Sequence, residues 1–150
     1  MSSIEFRKAA RGDVTLLIDL LFEYHKLHKV TSPDRSRLEQ MLLKLQEEPT
    51  HGQQFVALND GKPIGFATLF FLFSTSFADK VAILSDLFIQ ERFRNQRIGE
   101  QLFKHCIDYV KQSGYRHMDW VTLQDNFTAK KFFEKLGASL QPYLLYSLDF

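Results

Sequence analysis

Apolar residues recur along the chain with two periods, and the changes of period mark out the elements. Ile4-Glu5-Phe6-Arg7 alternates and predicts a short opening strand. Over residues 14 to about 28, Val14, Leu17, Leu20, Leu21, Tyr24 and Leu27 follow helical spacing, with Asp13 in place as the N-cap. Ser32-Pro33 punctuates. Residues 34–47 predict a second helix with Leu38, Met41, Leu42 and Leu45 on one side, ended by Pro49. The texture then turns strand-like over 54–58 and 62–73, joined by the hairpin chemistry of Asn59-Asp60-Gly61, and again over the nearly continuous apolar run 81–89. From Ile98, the residues Leu102, Phe103, Cys106, Ile107 and Val110 mark a long amphipathic helix closed by Ser113-Gly114. A strand over 117–123, a helix over 126–136 stopped by Gly137, and a last strand over 143–150 complete the chain. The order β-α-α-β-β-β-α-β-α-β predicts an α+β fold: a central, mixed, mostly antiparallel sheet flanked by helices.

Length and composition narrow the function classes. A chain of 150 residues without repeat, low-complexity stretch or linker predicts one domain over 1–150. Apolar residues at 45% and charged residues at 25% exclude disorder. A net charge of +1 provides no global field for nucleic acid or an anionic membrane, and Arg92, Arg94, Arg97 and Lys104 are a poor basis for nucleic-acid binding against that balance. The opening Met1-Ser2-Ser3-Ile4-Glu5 lacks the pattern of a secretory signal, and the longest apolar run, 64–73, is half of the roughly 20 residues a spanning helix needs. Cys106 is the only cysteine, which excludes an internal disulfide or a cysteine-based zinc site and fits a reducing, cytoplasmic setting. With Phe 15, a phenylalanine-filled core is expected; Phe66, Phe70, Phe71, Phe73 and Phe77 read as core and subunit interface.

Three arginines, Arg92, Arg94 and Arg97, stand at or just before the start of the helix at Ile98. The free N–H groups and dipole of a helix N-terminus are already positive, so cations there are in conflict until an anion such as phosphate binds. A solvated basic turn is the other reading of the spacing. Arg94-Asn95-Gln96-Arg97-Ile98-Gly99 resembles the pyrophosphate loop R/Q-x-x-G-x-G/A of the GNAT superfamily of acyl-CoA-dependent N-acyltransferases. Asn126-Phe127-Thr128-Ala129-Lys130-Lys131-Phe132-Phe133-Glu134-Lys135-Leu136-Gly137-Ala138 resembles that family's second signature, N-x-x-A-x-x-F-Y-E-K-L-G-F/A. The two motifs stand at the family's separation, and the resemblance covers nearly the whole chain.

The resemblance implies acetyl-CoA as cosubstrate and no metal. It implies that Leu87, Phe88 and Ile89 pair with the pantetheine arm, that Arg94 opens the loop, and that backbone amides of Asn95, Gln96, Arg97, Ile98, Gly99 and Glu100 cradle the pyrophosphate. Asn126, with Ala129, Lys130 and Phe133 nearby, is implied on the cofactor, a role compatible with an ordinary N-cap. Two residues depart from the pattern. Arg97 stands where the family has the first glycine of G-x-G, and Phe133 stands where many members carry a tyrosine that protonates the departing thiolate. Water, Tyr143 or Tyr146 are the remaining donors, and a CoA-binding sensor without turnover is the alternative reading.

Leu84-Ser85-Asp86-Leu87-Phe88-Ile89 is similar to the L-E-D-F/L-F-V segment of diamine and polyamine acetyltransferases, with Ser85 replacing the glutamate. The implied reaction is direct attack of a small-molecule primary amine on the thioester. Such an amine, with a pKa near 10.4, must lose a proton first. Asp86 reads as acceptor-binding or relay, or else as the partner of a basic group. Glu23, Tyr24, His25 and His28 lie on the first helix, which the family places beside the acceptor; Glu23 and Tyr24 are expected to contact it. His25 and His28 at i, i+3 read as surface residues sooner than as metal ligands. A homodimer is the family-based expectation.

Overall fold

A computed structural model describes residues 3–150; Met1 and Ser2, the first residues of the segment read above as lacking a signal, lie outside the described residues. The strands are β1 (Ile4–Lys8), β2 (Gly52–Asn59), β3 (Lys62–Ser74), β4 (Asp79–Ile89) and β5 (Met118–Trp120). The helices are α1 (Val14–Leu27), α2 (Arg35–Glu47), α3 (Ile98–Gln112) and α4 (Phe127–Lys135), with short 3-10 turns at Arg11–Asp13 and Glu91–Phe93. The chain falls into two units, one ending at Trp120 and one running Val121–Phe150. No helix among the described residues is long and apolar enough to cross a membrane.

In the first unit the sheet order is β1-β2-β3-β4-β5. The first four strands are antiparallel neighbours, and β5 joins β4 in parallel after the α3 crossover, as a parallel pair requires. Asp60 and Gly61 carry φ of 51° and 82°, the left-handed pair that a tight hairpin between right-twisted strands demands. Helices cover both faces. Val14, Leu17, Leu21 and Leu42 of α1 and α2 pack against Val56, Leu58, Phe66 and Phe88. On the opposite face Tyr109 of α3 meets Phe55 and Phe71, and Phe103 meets Trp120 edge to face. The aromatic core expected from composition is there in Phe66 and Phe71, whereas Phe73 and Phe77 are exposed.

Two expectations are corrected. Residues 143–150 form no strand, and Tyr143, Leu144, Leu145, Tyr146 and Leu148 are all exposed. Alternation suits a half-buried strand, but a strand exists through its ladder, and no backbone among the described residues pairs with this segment. The strand expected over 117–123 is likewise only Met118–Trp120. Asp13 is the second correction, for its side chain does not cap α1. Its carboxylate accepts from Arg7 Nη1 at 2.7 Å and Nη2 at 3.0 Å, and from the Ala10 N–H at 2.7 Å. That arrangement ties β1 to the entry of α1, and it holds the buried Asp13 carboxyl below the usual range, chiefly through the Arg7 hydrogen bond.

Removing this anchor by Asp13→Ala is expected to cost about 1–3 kcal/mol at neutral pH, read from denaturant midpoints at unchanged slope. Because the folded-state pKa is lowered, the contribution is complete above the unfolded value near ~3.9 and is lost as pH falls through the lower folded value. The gap between variant and parent therefore narrows below about pH 4. A gap that widens on acidification refutes the assignment.

Candidate functional site

β4 changes phase part-way along. Ala82 and Leu84 stand opposite Phe71 and Leu69, and Phe71 stacks on Tyr109 of α3, so this half of the strand turns those side chains toward α3. The register then slips. Thr68 pairs with Asp86 while Leu69 pairs with Leu84, leaving Ser85 as one extra residue. Such a bulge restarts the alternation. Asp86 and Phe88 consequently share the face covered by α1, and Leu87 and Ile89 look toward Gly99 of α3. On its other edge, β4 pairs with β5 only from Ala82 to Leu84. Beyond the bulge, no described strand takes the outer backbone groups of residues 85–89.

Asp86 is half-buried, and loss of hydration is the largest influence on its carboxyl, raising its pKa. Opposing that rise, in order, are a hydrogen bond from Thr68, the field of His25, and hydrogen bonds from Tyr24 and Ser85. Tyr24 reaches down from α1, its ring edge-on to Phe66 at 5.9 Å and to Phe88 at 6.0 Å. Burial, then the Asp86 charge and hydrogen bond, push its phenol up to about 12, so it remains a donor at neutral pH. His25 is half-buried, with Nδ1 3.2 Å from Ser32 Oγ, and His28 packs on the Tyr24 ring at 4.5 Å. The surface reading thus fits His28 better than His25. No group of three or more metal-ligating side chains occurs among the described residues. Glu23 accepts from Gln90 Nε2 at 3.2 Å, and with Gln90, Glu91 and Arg92 it lines an open cavity of about 510 Å³.

The loop to α3 holds Arg94 with its Nε donating to the Ile89 carbonyl at 2.8 Å and its guanidinium over the Phe88 ring at 5.4 Å. Asn95 and Arg97 follow at φ 63° and 61°. Left-handed residues in such a loop turn successive N–H groups into an anion-binding concavity. The α3 ladder opens with Gln101 N–H on the Arg97 carbonyl at 3.1 Å, so the amides of Ile98, Gly99 and Glu100 precede it. A Cβ added at Gly99 would lie 3.8 Å from Ile89 Cγ1 and Leu87 Cδ2, an ordinary contact, so packing within the chain does not require glycine there.

In the second unit, Asn126 accepts from the Ala129 N–H at 3.2 Å and caps α4, as its sequence position implies. Lys130 Nζ sits 5.2 Å over the Phe127 ring, and Phe133 lies 5.8 Å from Phe132. Tyr143 stands in an irregular segment and is 82% exposed.

The Acetyltransferase (GNAT) family model matches residues 16–138. The chain belongs to this family. The GNAT match runs across both units, and with it the chain is an acetyl-CoA-dependent N-acetyltransferase with a mixed α+β fold. It is 25% identical over 134 residues, 89% of each chain, to the uncharacterized N-acetyltransferase YhfO of Bacillus subtilis (strain 168). It is 26% identical over 116 residues to the L-ornithine N5-acetyltransferase NATA1 of Arabidopsis thaliana, a match covering 75% of this chain and 51% of that protein. Its fold is similar to that of an aminoglycoside N-acetyltransferase, AAC(6')-Iy, solved in complex with CoA, with TM-score 0.78 and 18% identity over 99% of this chain and 96% of that one.

Within the GNAT pattern, the positive φ at Arg97 gives a reason for the family's glycine that is independent of phosphate approach: this helix entry is left-handed. Gln54 and Thr68 are not singled out by the sequence although both bear on Asp86, and His25, expected at the surface, bears on it too. The signal for the first two was polarity on the inward phase of apolar strands, a pattern that invites a hydrogen-bonded partner. Replacing Arg97 by glycine is expected to relieve the left-handed strain and raise stability by about 0.5–1 kcal/mol, net of glycine's greater freedom when unfolded. Thermal or urea unfolding checks it, and a lower midpoint refutes it.

Proposed function

We propose that the protein acetylates the primary amine of a small diamine-like molecule, in the cytoplasm, by direct attack within a ternary complex. The observation that carries this reading is Asp86 itself. A carboxylate offers about four acceptor positions. Tyr24, Thr68 and Ser85 stand by it as neutral donors, and because it is only half-buried it can also meet an incoming ammonium. The raised pKa makes Asp86 a better proton acceptor than an exposed aspartate, closing part of the gap to an alkylamine. Glu23, which lines a cavity with Gln90, Glu91 and Arg92, supplies a carboxylate suited to a second, distal ammonium. The polyamine-like segment around Asp86 and the similarity to an ornithine N5-acetyltransferase both favour a substrate with two amino groups.

When bound, acetyl-CoA supplies the activated acetyl thioester. For the chain's own part, the outer backbone of Leu87, Phe88 and Ile89 binds the pantetheine arm. The amides from Asn95 to Glu100, with Arg94 bracing the loop, hold the pyrophosphate. A backbone N–H around Leu87 or Phe88 would be the donor to the thioester oxygen of bound acetyl-CoA. The family's second signature, by resemblance alone, also assigns Asn126, Ala129, Lys130 and Phe133 to cofactor binding. Tyr143 is assigned to protonate the departing thiolate, because Phe133 has no proton to give. Cys106 takes no part: it is fully buried, and burial pushes its thiol up to about 12, so no thiolate is present to form an acyl-enzyme. A homodimer is proposed on family grounds.

The deciding experiment measures release of free CoA from acetyl-CoA across spermidine, putrescine, ornithine, aminoglycosides and short peptides. Saturable turnover with the diamines is expected, and CoA binding without turnover on any amine would return the chain to the sensor reading. Asp86→Asn should lower kcat/KM on the order of 10²-fold with CoA affinity unchanged. In the parent protein the rate should fall as pH drops through a value above the ordinary ~3.9, since the base must be ionised. Cys106→Ala should retain full activity; its loss in folded, CoA-binding protein would overturn direct attack.

A further inference from the structure

Three polar side chains stand in a row across the sheet. Gln54 on β2 is the register partner of Thr68 on β3, and Thr68 is the register partner of Asp86 on β4. Directly opposed residues share a face, and this is the face that Val56, Phe66 and Phe88 turn toward α1. Gln54 and Thr68 are each only 3% exposed, buried among apolar neighbours in a position where hydrocarbon would pack as well. Gln54 Nε2 donates to Thr68 Oγ1 at 3.0 Å. A threonine hydroxyl has one proton. With its oxygen engaged as acceptor from Gln54, that proton is available to Asp86, the register partner of Thr68 on the other side, whose charged form it favours.

We infer that Gln54 and Thr68 are positioning residues for the acetyl transfer, a two-member hydrogen-bond rail that fixes the Asp86 carboxylate in its ionised form and in one rotamer beneath Tyr24. The inference rests on the assignment of Asp86 as the group that meets the acceptor amine. The register slip at Ser85 is what makes the rail possible. It brings Asp86, instead of Ser85, opposite Thr68. Gln54 Oε1 is buried with no hydrogen-bond partner, so the amide is held at this place by what its nitrogen donates, not by full satisfaction of its own polar atoms. The other groups that face Asp86 are Tyr24 and His25 from α1 and Ser85 from its own strand, with His28 behind the Tyr24 ring. Among the described residues none of them hydrogen-bonds to the Gln54 side chain, so the rail can be altered alone.

The test titrates the Asp86 side-chain carboxyl by carbon-detected NMR and records kcat/KM against pH in the same variants. Thr68→Val is expected to raise the Asp86 pKa by about one unit, the size of one lost hydrogen bond to a charged group, and to move the acidic limb of kcat/KM upward with it. Thr68→Ser keeps the hydroxyl and should restore both. Gln54→Met removes the donor together with the unsatisfied oxygen, so the fold should tolerate it, and an upward shift of the same sign is expected. An Asp86 pKa unmoved in Thr68→Val, or in Gln54→Met where Thr68→Val does not fold, overturns the rail. The NMR titration reads the rail without reference to catalysis. If Asp86→Asn keeps full activity while Thr68→Val still moves the carboxyl, the failure belongs to the role assigned to Asp86 and not to the rail.

Discussion

A carboxylate withdrawn from water keeps its charge only where donors and counter-charges replace its hydration. At Asp86 those replacements arrive from three elements: Tyr24 and His25 from α1, Thr68 from β3, and Ser85 from β4 itself. None is close to another in sequence except the α1 pair. The site therefore exists only when the β3–β4 register, the bulge and the seating of α1 are all correct together. The apolar packing of α1 on Phe66 and Phe88 thus does more than exclude water. It sets the height at which the Tyr24 hydroxyl meets the carboxylate.

A second constraint acts on the far edge of β4. Parallel pairing with β5 lasts for three residues and stops at Leu84, where the bulge begins. A strand that continues without a neighbour presents unpaired backbone groups, normally an invitation to aggregation. Here the same five residues adjoin a helix whose first amides also precede their ladder. Arg94 links the two, its side chain returning to the Ile89 carbonyl and the Phe88 ring. The left-handed turn at Arg97 stands directly before the first residue of α3.

Much of this was legible in the residues. Helical spacing located α1, α2 and α3, Asn59-Asp60-Gly61 marked its hairpin, and two motifs carried the family. What escaped was information that does not reside in any local window. The register slip at Ser85 depends on β3 and β4 together, and only that slip puts Asp86 opposite Thr68. Asp13 looked like a helix cap because its neighbours are a helix, yet its carboxylate answers to Arg7 on β1. The alternation from Tyr143 to Phe150 misled for the converse reason. It describes a strand's faces and says nothing of a partner for its edges. Arg97 shows that a departure from a motif can be read two ways from sequence, as lost phosphate contact or added charge, while the backbone angle adds a third.

The core position of Cys106 has a practical consequence of its own. As the chain's only sulfhydryl, sealed beneath α3 and un-ionised at working pH, it is silent toward thiol-reactive dyes while the fold is intact. A dye present during turnover would colour only with the coenzyme released, so the protein contributes no background. In the absence of coenzyme the same dye becomes a clock, since each labelling event must wait for the layer between α3 and the sheet to open.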